Sequence, residues 1–183
     1  MKKTICTIFC FTVVSYIFPI TTFANEFNNR AISAFQEFWK LNDEWSAAFL
    51  SGDSALQREK GKLLADHKDN EFIYILKSLP EEYCSDPQMD VLRELMKTLI
   101  GTSNSGDEYP IYVFAELYAC DSDRVIKEIL SLTPEDQQII VENLDYGFKN
   151  ITYKIEPLPN YKQLIEKLND LKSMIRTNAK KSK

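Results

Sequence analysis

The chain has 183 residues, with 27 acidic and 22 basic side chains and a formal charge of −5 at pH 7. This acidity argues against nucleic acid as a partner, because the phosphate backbone repels an acidic surface. A single histidine and five glycines argue against sites that need several imidazoles or a glycine-rich phosphate loop. We therefore expect no cofactor and no bound metal ion.

The first 24 residues have the composition of an export signal. Two lysines precede an apolar run over residues 5–18, and Pro19 ends that run. The small residues Thr22 and Ala24 then form a signal peptidase cleavage motif. The run is shorter than the roughly 20 residues that a membrane-spanning helix needs, so we expect no stable membrane anchor. Cleavage after Ala24 would lower the formal charge to −7 and leave enough chain for one domain. The predicted location is periplasmic or secreted.

Apolar residues recur at helical spacing, which predicts an all-α fold for residues 25–177, a single compact domain of about seven or eight helices. The first helix ends near Leu50, because Gly52 stops it, and Asp53 caps a second helix that runs to about Asp66. The inward residues expected are Phe27, Ala31, Phe35, Phe38, Asn42, Trp45 and Phe49 in the first helix, and Leu56, Leu63 and Leu64 in the second.

The third and fourth helices are predicted from their end signals. The third begins at Asp69 or Asn70 and ends at Leu79, since Pro80 cannot continue it. The fourth has Pro87 in its first turn and ends at Gly101.

A flexible loop is expected at residues 102–107. Helices then follow over residues 111–119, from the cap Asp121 or Ser122 to Ser131, and from the cap Thr133 onward.

The end of the chain combines a covering loop, a helix and a tail. Residues 150–159 are predicted to be irregular, because the alternating pattern at residues 151–155 has no second strand to pair with. The last helix starts near Tyr161, and residues 178–183 form a basic disordered tail.

Two segments of similar sequence suggest an internal repeat. Residues 69–82 and 122–136 each contain an acid-capped apolar helix followed by proline and two acids, and a second apolar helix comes after each. Two stacked helical hairpins of the α-solenoid type are one interpretation; chance similarity between amphipathic helices is the other.

Cys84 and Cys120 are the two cysteines that remain after the signal. In an oxidising compartment an isolated pair of this kind is usually a disulfide. Neither a metal pair nor a redox couple is favoured, because the sequence has no Cys-x-x-Cys motif.

Few residues point to catalysis. His67 is expected to be a partly buried structural residue, and the acidic pairs, including Asp107-Glu108, lie at helix ends where charge is expected on structural grounds. Trp39 falls beside the apolar stripe of the first helix, which makes it a candidate partner contact.

These observations favour a non-enzymatic, exported protein that binds another protein with an acidic surface. The most specific form is an inhibitor or immunity protein against a basic toxin or hydrolase. A periplasmic chaperone or envelope assembly factor is an alternative, and a carboxylate-based hydrolase is the alternative from another class. The sequence does not specify an oligomeric state.

The predicted cleavage site can be tested directly. Mass spectrometry of the exported protein should give a mature chain that begins at Asn25, because Ala24 and Thr22 supply the small side chains of a signal peptidase site. A mature species that retains Met1, or one acylated at Cys10, would contradict this prediction.

Overall fold

The computed structural model describes residues 20–86, 90–101 and 108–181. Within these ranges the chain is a single compact all-α domain without strands, which confirms the predicted fold class. It has eight helices of nine or more residues and one single-turn helix. In chain order they are α1 Ile20–Ser51, α2 Ser54–His67, α3 Ile73–Ser85, α4 Val91–Gly101, α5 Tyr109–Cys120, α6 Ser122–Leu130, α7 Pro134–Asn150, the single turn α8 Thr152–Ile155, and α9 Tyr161–Lys181.

Three predicted helix caps are confirmed. The side chain of Asp53 accepts hydrogen bonds from two backbone N–H groups of α2 at 2.9 and 3.0 Å, and those of Asp121 and Thr133 each accept one at the start of α6 and α7. Each cap satisfies donors that the helix itself leaves unpaired, which is worth about 1 kcal/mol. The predicted start at Pro87 and the predicted loop 102–107 lie outside the described residues.

Helix α5 lies at the centre of the domain. Its sequence is apolar almost all round, which is typical of a helix that is covered on every side. It packs on α3 and α7 most extensively, and also on α4 and α6. Its buried residues are Pro110, Val113, Phe114, Ala115, Leu117, Tyr118 and Ala119.

A disulfide links the C-terminal ends of α3 and α5. The Cα atoms of Cys84 and Cys120 are 5.4 Å apart, as a bonded pair requires, so the structure brings the predicted pair together. On the chain-entropy model, a bridge that spans 36 positions stabilises the fold by roughly 3–4 kcal/mol.

The predicted boundaries of the third helix are wrong at both ends. The chain continues from α2 through a π-helical turn, Lys68–Phe72, so Asp69 does not start a new helix. Pro80 lies inside α3, which runs on to Ser85. A proline in a helix interior costs about 3 kcal/mol. Burial of the large side chains on both sides of it, Leu79 and Tyr83, outweighs that cost.

Helices α1 and α2 form an antiparallel hairpin whose outer end is poorly buried. No residue of α2 is buried, and Leu56 and Leu63, which were predicted to face inward, are 37% and 43% exposed. The prediction that Phe49 of α1 faces inward is also wrong, since its side chain is 60% exposed. Beyond Ala48 there is little for α1 to pack against except α2, so amphipathic spacing alone does not bury these side chains.

The segment after α7 that was predicted to be irregular contains one helical turn and continues through turns over residues 156–160. Residues 152–155 form one helical turn, which lets Ile151 and Ile155, four positions apart, both face the core. Helix α9 continues to Lys181, into the segment 178–183 for which the sequence predicts a disordered tail. Helix α1 begins at Ile20 and therefore spans the predicted cleavage site.

The two similar segments pack differently. In the described residues α6 packs on α7, whereas α3 packs mainly on α5 and at most slightly on α4, the helix that follows it. The arrangement thus differs from two equivalent stacked hairpins.

Two buried tyrosines give a matched test of the core. Both are fully buried, but the Tyr118 hydroxyl donates to the Leu164 carbonyl at 2.8 Å, whereas the Tyr83 hydroxyl has no hydrogen-bond partner in the described chain. Burial raises the pKa of Tyr83 to about 12. Tyr118→Phe should lower the free energy of unfolding by about 1 kcal/mol, because it removes the hydrogen bond to Leu164. Tyr83→Phe should leave the free energy of unfolding unchanged or raise it, because its hydroxyl makes no such bond. Urea unfolding with the disulfide intact measures both; equal losses would contradict the expectation.

Candidate functional site

Helices α5 and α7 approach each other unusually closely at Gly147. A Cβ atom at this position would lie 2.7 Å from the carbonyl oxygen of Ile111 and 3.2 Å from the Cβ of Ala115. Only glycine therefore fits without moving a backbone. The close approach brings the neighbouring outward residues of the two helices together.

Tyr112 of α5 and Tyr146 of α7 stack beside this contact. Their ring planes are 13° from parallel and their centroids are 6.4 Å apart. Both hydroxyls donate to the carboxylate of Glu108, Tyr112 to Oε2 and Tyr146 to Oε1, the latter at 2.5 Å. We call Glu108, Tyr112 and Tyr146 the tyrosine–carboxylate cluster.

The pKa of the carboxyl group and the pKa values of the two phenols in the cluster lie far apart. Hydrogen bonds from Tyr112 and Tyr146 hold the pKa of Glu108 below its usual value. The hydrogen bond to Glu108 in turn raises the pKa of each phenol, with desolvation as the second cause. At neutral pH the cluster is therefore one ionised carboxylate with two protonated phenol donors.

The cluster lies at the surface and carries an uncompensated negative charge. Glu108 is exposed, Tyr146 is 43% exposed and Tyr112 is partly buried. Within the described chain no lysine or arginine pairs with Glu108. Glu142, one turn before Tyr146 on α7, adds a second exposed carboxylate, which accepts a hydrogen bond from Gln138.

Trp39, the candidate contact predicted from sequence, is partly buried against α4. Its indole Nε1 donates to the Thr98 hydroxyl at 3.2 Å, and a Cβ at Gly101 would lie 1.8 Å from its ring. These contacts account for its orientation inside the chain; a role in partner binding stays a prediction.

His67 sits at the C-terminal end of α2. Its Nε2 is 2.9 Å from the backbone carbonyl oxygen of Ala34, so this nitrogen carries the proton that makes the bond. The contact joins α2 to α1.

A shallow groove of about 250 Å³ borders the disulfide. Its lining includes Pro80, Ala119 and Leu158, and the ion pair between Lys154 and Glu116, 2.6 Å long, lies at its edge. In the residues described, no group of three or more His, Cys, Asp or Glu side chains could hold a metal ion. In the same residues no helix has the length and apolar character needed to cross a membrane.

Sequence reasoning missed the tyrosine–carboxylate cluster. It assigned Glu108 to a helix entrance, which is also its position in the structure, as the N-cap residue of α5. The spacing of four residues to Tyr112 was a usable local signal. Tyr146 is 38 positions away from Glu108, and only the packing of α7 on α5 brings it in.

No known protein family matches the chain, and neither a curated protein nor a solved structure shows significant similarity to it. The geometry of the chain itself therefore carries the functional interpretation.

The cluster predicts a pH dependence with a definite sign. Its contribution to stability is present above the ordinary glutamate pKa of about 4.3 and is lost as pH falls through the lowered pKa of Glu108. It is also present below the ordinary tyrosine pKa of about 10 and is lost as pH rises through the raised values of the two phenols.

Glu108→Gln should lower the pKa values of Tyr112 and Tyr146, because it removes the charged acceptor that raises both. NMR titration of the chain labelled with ¹³C at tyrosine Cζ measures them individually. The pKa of Tyr83, which burial raises, should not change and serves as the internal control. If the two surface tyrosines titrate as before, the hydrogen bonds to Glu108 do not cause their shifts.

Proposed function

We propose that this protein is an exported, non-enzymatic binding protein whose partner is a basic protein, most specifically a toxin or hydrolase that it inhibits. The tyrosine–carboxylate cluster is the observation that supports this proposal. It presents two aromatic rings and a fixed negative charge at the surface of an acidic chain. Tyrosine is enriched at binding hot spots, and acidic surfaces steer basic partners into contact.

The protonation states of the cluster speak against the hydrolase alternative. A general acid or base works best with a pKa near the working pH. Glu108 is shifted below its usual pKa and both phenols are shifted above theirs, so all three groups titrate far from neutrality. They are suited to binding charge and poorly suited to transferring protons.

The α1–α2 hairpin favours the second candidate, a chaperone or envelope assembly factor. Its outer end exposes 60% of Phe49 and 84% of Leu50, on a hairpin whose second helix buries no residue. Exposed apolar side chains of this size are the surface that a chaperone offers to unfolded clients.

Site-specific photocross-linking in the producing cell tests the proposal. A photoreactive phenylalanine at position 146 should give an adduct with a basic protein, because Tyr146 would lie in the interface. The control is the same substitution at Tyr153, the most exposed tyrosine in the described residues, which lies on α8 and has no stacking partner there. An adduct at the hairpin residue Leu50, and none at position 146, would favour the chaperone.

The purified partner then tests the mechanism. Association should slow appreciably between low salt and about 0.5 M salt, since exposed charges are screened within a few ångströms there. His67→Gln should leave binding unchanged. Catalytic turnover that His67→Gln abolishes in the folded protein would overturn the proposal in favour of an enzyme.

A further inference from the structure

The chain contains a complete example of an arginine bound by a carboxylate and a tyrosine. Arg30 of α1 donates to both carboxylate oxygens of Glu71, at 2.7 and 3.1 Å. Its guanidinium carbon lies 4.9 Å from the centre of the Tyr74 ring, within the range of a cation–π contact. The fork of the guanidinium matches the two carboxylate oxygens while its flat face covers the ring.

The tyrosine–carboxylate cluster has the same components except the guanidinium. Glu108 supplies the carboxylate, and Tyr112 and Tyr146 supply two near-parallel rings in place of one. Each oxygen of Glu108 accepts one phenol hydroxyl, and a carboxylate oxygen has two acceptor positions. The second acceptor position of each oxygen matches the spacing of the two parallel N–H groups of an arginine.

The phenols also fix the carboxylate before any ligand arrives. Among the described residues Glu71 accepts hydrogen bonds from Arg30, the cation it binds, whereas Glu108 is positioned by two phenols that are themselves stacked. A fixed acceptor loses less conformational freedom on binding, so more of the interaction free energy contributes to the affinity.

We infer that the tyrosine–carboxylate cluster is a receptor for an arginine side chain of the binding partner, and that it discriminates arginine from lysine. A lysine ammonium is a compact, strongly hydrated charge that cannot contact both oxygens as a flat fork and also cover a ring. The inference rests on the proposed function for the source of the arginine, but the cluster can be tested without the partner.

Amino-acid amides serve as minimal probes of the mature chain. Titration with Nα-acetyl-arginine amide, followed by the NMR signals of ¹³Cζ-labelled tyrosine, should give saturable shifts at Tyr112 and Tyr146. We expect Nα-acetyl-lysine amide to bind about fivefold more weakly, the difference that stacking of the planar cation provides at an exposed site. Nα-acetyl-citrulline amide, which has nearly the same shape without the charge, should not saturate.

Matched variants locate the site. Glu108→Gln should weaken binding of the arginine amide at least tenfold, because the neutral amide presents one acceptor and no charge. Glu142→Gln removes a neighbouring exposed carboxylate of the same charge and should change affinity less than twofold. Circular dichroism checks that both variants stay folded. Equal binding of lysine and arginine, binding of citrulline, or equal effects of the two variants would each overturn the inference.

These outcomes are separable from failure of the proposed function. If the arginine amide binds as expected but position 146 cross-links to no basic protein, the receptor stands and the proposed partner is wrong. If a partner cross-links at position 146 and replacing its contacting arginine by lysine leaves affinity unchanged, the proposed function stands and the arginine receptor is wrong.

Discussion

The need to bury the apolar residues of helix α5 organises the domain. A helix of 12 residues with seven buried side chains cannot be covered by one neighbour, so α3, α4, α6 and α7 surround it. The disulfide fixes its C-terminal end to α3, and Gly147 lets α7 approach its middle at backbone distance. The crosslink and the glycine therefore both support the covering of α5 by elements that are far apart in sequence.

The surface cluster is a consequence of the same packing. Tyr112 and Tyr146 stack because Gly147 removes the side chain that would otherwise separate their helices. The stacked pair then holds Glu108, the N-cap residue of α5, in one position. A binding surface built on two tightly packed helices is more rigid than one built on loops, and rigidity is what a bidentate contact needs.

The sequence specifies this fold well where local chemistry decides it. The caps Asp53, Asp121 and Thr133 and the helical class follow from short-range rules that packing did not override, and the cysteine pair follows from there being two cysteines after the predicted signal. Predictions that depended on tertiary context were less accurate. The effect of Pro80 could not be read locally, because burial of Tyr83 beyond it keeps the helix intact.

The hairpin and the cluster both show that local sequence patterns do not specify tertiary contacts. Phe49 and Leu56 have helical spacing, but amphipathic spacing does not say whether a partner helix exists to cover them. The cluster depends on Tyr146, which the chain brings to Glu108 from 38 positions away, so its existence is a property of the fold and not of any motif.

Glu108 differs from those carboxylates of the described surface that pair with a cation of the chain, as does Glu142, which accepts from the neutral amide of Gln138. Glu71 and Glu128 each bind an arginine of the chain through two hydrogen bonds, and other carboxylates bind lysines. Glu108 instead receives neutral donors, which fix its orientation and keep it ionised without cancelling its charge. If the only purpose were to fasten α5 to α7, a lysine would provide a charged partner and lower the cost of exposing the carboxylate. The hydrogen bond from Tyr146 joins α7 to α5, the one from Tyr112 stays within α5, and both leave the charge of Glu108 available, which is the arrangement expected of a group whose cation arrives from outside.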